Sequence, residues 1–307
     1  MRNLKGKIVA ILITALLISA VYTTVVSAVG NSLFINTKPT LENVRDYAPA
    51  FSATAATYAV DGGLLYAGQP NRWVQRPTPP GVIVGAVAVD PNDAQTVYIG
   101  AANELAVYWS KDGGMAWRHV PLTDQYIGGI TDIAMNSAQR TLYIATDTAG
   151  IFRLRDVGSS LILSGHTPLN EAVLEVVSDQ SGAGLAFART EWQVYRAVNN
   201  GLQWMALDTL TSAPTALAIT EEYPATVYVG TVDRGLLKSQ DGFNWEIVNA
   251  GFLQEAGTRL QVDALAIDPA QPNVLYVATS YLFGHTTVHQ TPAGVAMSTD
   301  NAAHWAP

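Results

Sequence analysis

"SKDGGMAW", residues 110–117, returns in altered form along this chain of 307 residues: "SQDGFNW" at 239–245, "STDNAAHW" at 298–305 and a worn copy, "AVNNGLQW", at 197–204. A repeated Ser and Asp could belong to a catalytic loop or to a turn. Each residue type has a turn-making task. The Asp carboxylate can accept N–H groups of its own turn, and Ser offers a second local hydrogen bond. Gly permits φ > 0, and Trp buries a large apolar surface. The stretch therefore reads as architecture, and its spacing asks what architecture.

Short apolar runs with an aromatic centre recur around it: "ATYAV" (56–60), "TVYIG" (96–100), "TLYIA" (141–145), "GLAFA" (184–188), "TVYVG" (226–230) and "VLYVA" (274–278). With Tyr58, Tyr98, Tyr143, Ala186, Tyr228 and Tyr276 as anchors, the spacings are 40, 45, 43, 42 and 48 residues. Another apolar run precedes each anchor, such as "GAVAVDPND", "VLEVVSDQS" and "ALAIDPAQP". A third follows, such as "GIFRLR" or "WQVYRA", and a fourth comes after the Trp, as in "WRHVP" and "WEIVN". Four short segments rich in Val, Ile and Tyr, broken by Gly, Asp, Asn and Pro, are β-strands. No stretch after residue 30 sustains a 3.6-residue period, so helix is scarce.

Four strands per unit at this period predict an all-β fold: a β-propeller of six four-stranded blades. The blades are expected to start near residues 42, 85, 129, 171, 214 and 262. The last lacks room for a fourth strand after Trp305. Either "SLFINT" (32–37) supplies that strand and closes the ring, or further blades are missing from the sequence.

The quoted stretch resembles an Asp-box, the Ser-x-Asp-x-Gly-x-Thr-Trp turn of the BNR-repeat propellers. Ser110, Asp112, Gly114 and Trp117 match, as do Ser239, Asp241, Gly242 and Trp245 with one residue deleted. Ser298, Asp300 and Trp305 match with Ala302 in the usual Gly place, and the worn copy keeps Trp204. The resemblance covers residues 42 to 307 and extends to sortilin-like receptors and photosystem II assembly factors. It implies the fold, and a scaffold or binding role by analogy. Its best-known enzymes, the sialidases, use three arginines, a Tyr–Glu nucleophile pair, an Asp and an Arg-Ile-Pro motif. No Arg-Ile-Pro occurs here.

The balance of the chain narrows the partners. Hydrophobic residues make up 49% and charged residues 14%, which suits an extensively packed protein. Net charge is −8, and without Arg2, Lys5 and Lys7 the rest holds 14 Lys and Arg against 25 Asp and Glu, or −11. An acidic body argues against nucleic acid, which needs basic stripes. The absence of Cys excludes disulfides, thiolate metal sites and a Cys nucleophile. No cofactor is implied. "MRNLKGK" followed by an uncharged run from Ile8 to Gly30 has the order of a signal peptide, with Val26-Ser27-Ala28 offering small residues for cleavage. Uncleaved, residues 1–30 would be a membrane anchor. Residues 31–307 are the expected propeller, exported to the cell surface or beyond in either case.

Strands of a blade alternate in direction. Turns between strands 3 and 4, where the quoted motif falls, leave by the same face as those between 1 and 2. Ligand chemistry is sought on the other face, in the turns between strands 2 and 3 and the connections between blades. Those carry Asp147, Arg189, Glu191, Trp192, Asp233, Arg234 and Arg259. Arg189, Arg234 and Arg259 could converge on a carboxylate, and Asp147, Glu191 and Asp233 could supply a glycosidase pair. His285 and His289 lie four apart in "FGHTTVHQT", within an insertion at 279–294. Without an evident third ligand they read as a solvated loop and not a metal site. The expectation is a non-enzymatic propeller that binds a protein or glycan, with a glycoside hydrolase as the alternative.

Overall fold

The computed structural model describes residues 41–49, 56–69, 72–180, 182, 184–220, 224–252, 254, 256–268, 270–284 and 288–306. They form six antiparallel sheets whose first strands surround one channel: a six-bladed β-propeller. Blade 1 comprises Val44–Ala48, Thr57–Asp61, Leu64–Gln69 and Arg72–Gln75, and blade 2 comprises Val84–Asp90, Asp93–Ala101, Ala106–Ser110 and Arg118–Pro121. Blade 3 holds Ile130–Asn136, Thr141–Thr146, Ile151–Asp156 and Leu161–Thr167. Blade 4 holds Glu175–Ser178, Ala186–Arg189, Val194–Val198 and Gln203–Ala206. Blade 5 has Pro214–Ile219, Val227–Thr231, Leu236–Ser239 and Glu246–Ile247, and blade 6 has Arg259–Asp268, Gln271–Phe283 and His289–Ser298. A fourth strand of blade 6 begins as an isolated bridge between Met297 and Ala306. The expected strand 32–37, the apolar run 8–30 and His285 lie outside the described residues. Among the described residues no helix is long and apolar enough to cross a membrane.

The second strands explain why the sheets stack. "TVYIG", "TLYIA" and "VYVGT" are buried at every position, because each strand is covered on both faces by neighbouring blades. Tyr58, Tyr98, Tyr143 and Tyr228 are at most 1% exposed. Their hydroxyls point forward to the next blade. The Tyr98 hydroxyl donates to Asp156 Oδ2 in blade 3 at 2.9 Å, and Tyr143 and Tyr228 donate to the carbonyls of Asn200 and Asn301 at 3.4 Å. Those acceptors lie at or beside the turns between strands 3 and 4.

The Ser-x-Asp stretches form those turns. Ser110 Oγ donates to Asp112 Oδ1 at 2.6 Å and accepts the Gly114 N–H at 2.9 Å. Asp112 Oδ1 also accepts the N–H groups of Met115 and Ala116. Ser239 with Asp241, and Ser298 with Asp300, repeat the arrangement. Hydrogen bonding holds all three carboxyls below the usual range. The Ser110 hydroxyl acts first on Asp112 and the Asn244 N–H on Asp241, while the His304 ring acts first on Asp300, which falls to about 2. The tryptophans then reach backward. Trp117 Nε1 donates to the Pro77 carbonyl beyond blade 1, and Trp305 Nε1 to the Val248 carbonyl beside blade 5, each at 2.8 Å. Trp204 meets Tyr143 of blade 3 edge to face. Each motif is thus a fastener between two blades. Blade 3, which lacks the motif, substitutes Asp156, a buried carboxylate that also meets Lys111 and Arg140.

One expected loop is a different object. The insertion 279–294 is largely a prolonged hairpin, with strand continuing to Phe283 and resuming at His289. His289 stacks on Phe283 across that hairpin as a cross-strand partner, and its expected neighbour His285 lies outside the described residues. Among the described residues no group of three His, Cys, Asp or Glu is placed to hold a metal.

Candidate functional site

The first strand of each blade runs from the face bearing the 2–3 turns and interblade connections, here the upper face, to the face bearing the fasteners. Six such strands enclose a channel of about 500 Å³. Its lower reach is apolar, lined by Val89, Met135, Ile219 and Ile267. Its upper reach is acidic, lined by Asp46, Asp132, Glu175 and Asp263 together with Arg45 and Arg189.

Blades 1, 3 and 4 place their acid in the same register, two residues after a buried apolar residue: Val44-Arg-Asp46, Ile130-Thr-Asp132 and Val173-Leu-Glu175. There each carboxylate accepts a backbone N–H of the next blade. Val87 donates to Asp46 at 2.7 Å, Val176 to Asp132 at 2.8 Å, and Leu217 to Glu175 at 3.1 Å. Asp46 and Asp132 each take a second N–H, from Tyr47 and Ile133. Thr131 and Thr215, one position earlier, donate to the carbonyls of Val173 and Val262 in the following blades. Glu175 also accepts from Arg189 Nε at 2.7 Å. Asp263 is held by Ser280, by Gln261 at 2.6 Å and by Gln290 at 3.0 Å.

Burial dominates the electrostatics. It pushes the Asp46 carboxyl up to about 6 and the Asp132 carboxyl well above the ordinary range; the Asp46 charge raises Asp132 further, and the Glu175 charge raises both. Burial raises Asp263 as well. A carboxyl whose folded pKa exceeds its unfolded value stabilises the fold when protonated. That contribution is full below about pH 4 and is lost as pH rises through about 6. The fastener carboxyls have the opposite sign and act below pH 4. The urea midpoint of the full chain should therefore fall between pH 4.5 and 6.5. In Asp46→Ala and Asp132→Ala chains that decline should flatten, and an unchanged slope would contradict the assignment.

The residues singled out from sequence are dispersed. Arg189 does reach the channel, from a strand end and not a loop. Arg234 Nη1 donates to Thr211 Oγ1 at 2.6 Å, and Arg259 faces Asp233 at 4.0 Å; neither lines the channel. The three arginines therefore do not converge there. Asp147 is occupied locally, accepting the Gly129 N–H at 2.8 Å. Asp233 accepts from Ser212. Glu191 and Trp192 stand exposed on the 2–3 turn of blade 4. Tyr–Glu pairs do exist, Tyr108 with Glu104 and Tyr195 with Glu171. In both, burial and the acceptor carboxylate push the phenol up to about 12, away from nucleophilic use.

The channel acids escaped the sequence reading because each lies inside an apolar strand. Aligning the first runs of the repeats, and not only their anchors, would have shown an acid at one position in blades 1, 3 and 4.

No protein-family model matches the chain, and no curated protein sequence matches it. Solved structures do. The GH74 xyloglucanase from Xanthomonas campestris superposes with a TM-score of 0.63 at 19% identity, over 86% of this chain and 45% of that one. The GH74 enzyme of Niastella koreensis gives 0.62 at 17%, over 86% and 44%. YCF48, in a structure bound to a D1 peptide, gives 0.59 at 16%, over 87% of this chain and 82% of that one. The likeness is one of fold. The chain spans less than half the length of the two GH74 enzymes.

Proposed function

We propose that the chain is an exported, non-enzymatic β-propeller of the Asp-box type, whose upper face binds a protein or glycan as a rigid scaffold at or beyond the cell surface. The carrying observation is how the channel's polar groups are employed. Asp46, Asp132 and Glu175 are spent on backbone N–H groups of the next blade, so they brace a ring and leave an open, preformed mouth. The motif that suggested catalysis is occupied in fastening blades. Ligand binding of either class is supported by the neighbours, since one is a xyloglucanase and another is bound to a peptide. The cation-then-apolar N-terminus supports export.

One observation favours a second reading, a glycoside hydrolase. Asp46 and Asp132 are raised carboxyls in one channel, as a general acid requires. Screening the full chain on a glycan array, a peptide library and chromogenic glycosides separates the two. Binding without turnover is expected, whereas turnover lost in Asp132→Ala would establish the hydrolase.

A further inference from the structure

We propose that the upper face docks a short peptide segment that is both apolar and basic, its apolar side chains lying on an arc across blades 1 to 3 and its Lys or Arg entering the channel mouth. This rests on the binding-module reading and names its ligand class.

The apolar half is unusual for a surface. Ile127 is 96% exposed, Ile83 51%, Tyr126 40% and Leu64 37%. Ile127, Ile83 and Tyr126 lie in upper-face connections and Leu64 opens the third strand of blade 1 beside its upper turn, and local contacts string those segments together. Ile83 overlies Gly63, next to Leu64, so closely that a Cβ on Gly63 would come 2.8 Å from its side chain. The Ile83 N–H binds Asn103 Oδ1, and the Ala102 N–H binds the Ile83 carbonyl. Ala102 abuts Gly129, two residues after Ile127, and Tyr126 packs edge to face on His166 of blade 3. Neighbouring exposed aliphatic residues mark an interaction site more often than chance would place them.

The charged half supplies the complement. Asp46, Asp132, Glu175 and Asp263 face the mouth against two cations, Arg45 and Arg189, and Arg189 is already paired to Glu175. Burial raises the Asp46 and Asp132 carboxyls, and Arg45 beside Asp46 offsets this only in part, so an ammonium or guanidinium entering the same lining favours their ionised forms. Of the other cations, Arg234 and Arg259 share the upper face but are engaged with Thr211 and Asp233 outside the channel lining, while Lys111, Arg118, Arg140 and Arg155 stand on outer strands or lower turns. Ile127 precedes Asp132 by five residues, at most about 18 Å of extended chain, so an extended pentapeptide with its side chains reaches from the arc to the acids. Aliphatic side chains offer a sugar no hydrogen bonds, and an acidic mouth repels anionic lipid and phosphate. The chemistry favours a peptide.

The test is a positional-scanning library of fluorescent pentapeptides against the full chain, beside a glycan array and anionic phosphatidylserine vesicles. Arg or Lys should be selected at one position and Leu, Ile or Phe at its neighbours. Ile127→Asp, at a position too exposed to affect folding, should weaken the selected peptide at least tenfold. Asp132→Ala should weaken it similarly, but should leave unchanged the binding of its counterpart with norleucine in place of the cation. Peptide binding without a cation preference, or binding only to glycans, overturns this inference and leaves the binding-module reading standing. Binding only to vesicles overturns the inference too, and silence in all three arms overturns both.

Discussion

Replacing Trp305 with alanine should destabilise the propeller by about 3–5 kcal/mol, the usual cost of removing a large buried aromatic. Trp305 is 5% exposed, stacks on Phe252 and closes a 2.8 Å hydrogen bond to the Val248 carbonyl beside blade 5. The loss should therefore free blade 6 from blade 5 and not merely unravel a turn. Two milder changes separate packing from hydrogen bonding. Trp305→Phe should cost about 1–2 kcal/mol, because it orphans the carbonyl while keeping most of the ring. Trp245→Phe should cost less, since the Trp245 Nε1 is buried without a partner. Urea unfolding followed by circular dichroism gives the order. Equal costs for the two Phe variants would contradict the fastener role of the Nε1 bond.

Gly201→Ala is the second large effect. Gly201 has φ of +75°, and a Cβ there would stand 2.1 Å from Tyr143 Cε1. Tyr143 is itself fully buried between blades and cannot retreat. Left-handed strain of about 1–2 kcal/mol adds to an overlap that only a shift of the interface relieves. A total above about 3 kcal/mol is expected. Gly62→Ala is the control, with φ of +59° and nothing within 4 Å of the added methyl. It should cost only the strain. If the two substitutions cost the same, the turn of blade 4 does not press on the tyrosine of blade 3.

These two predictions mark where the sequence was legible. The Tyr anchors and the Ser-x-Asp turns recur because each blade solves one problem, the burial of a central strand on both faces, with the same residues. Repetition made that solution visible from Tyr58, Tyr98, Tyr143 and Tyr228 alone. The direction of each reach was not visible: Tyr forward, Trp backward. It depends on how blades pack, which no single repeat contains. The hairpin around Phe283 read as a loop because Gly284 and the polar residues after it masked the alternation. The channel acids were hidden for a related reason. Asp132 interrupts an apolar strand, yet the next blade's N–H supplies the partner that makes it tolerable there. Among the loop carboxylates that looked more available, Asp147 is spent on the Gly129 N–H and Asp233 on the Ser212 hydroxyl.

The central claim is that the Ser-x-Asp face is architecture and the opposite face carries the ligand. Hydrogen–deuterium exchange of the full chain, with and without the tightest ligand from the library and glycan screens, tests it most directly. The account predicts protection at residues 62–64, 81–83 and 126–129 and at the channel mouth, with residues 112–116, 241–244 and 300–304 unchanged. Protection confined to those three lower turns would contradict it.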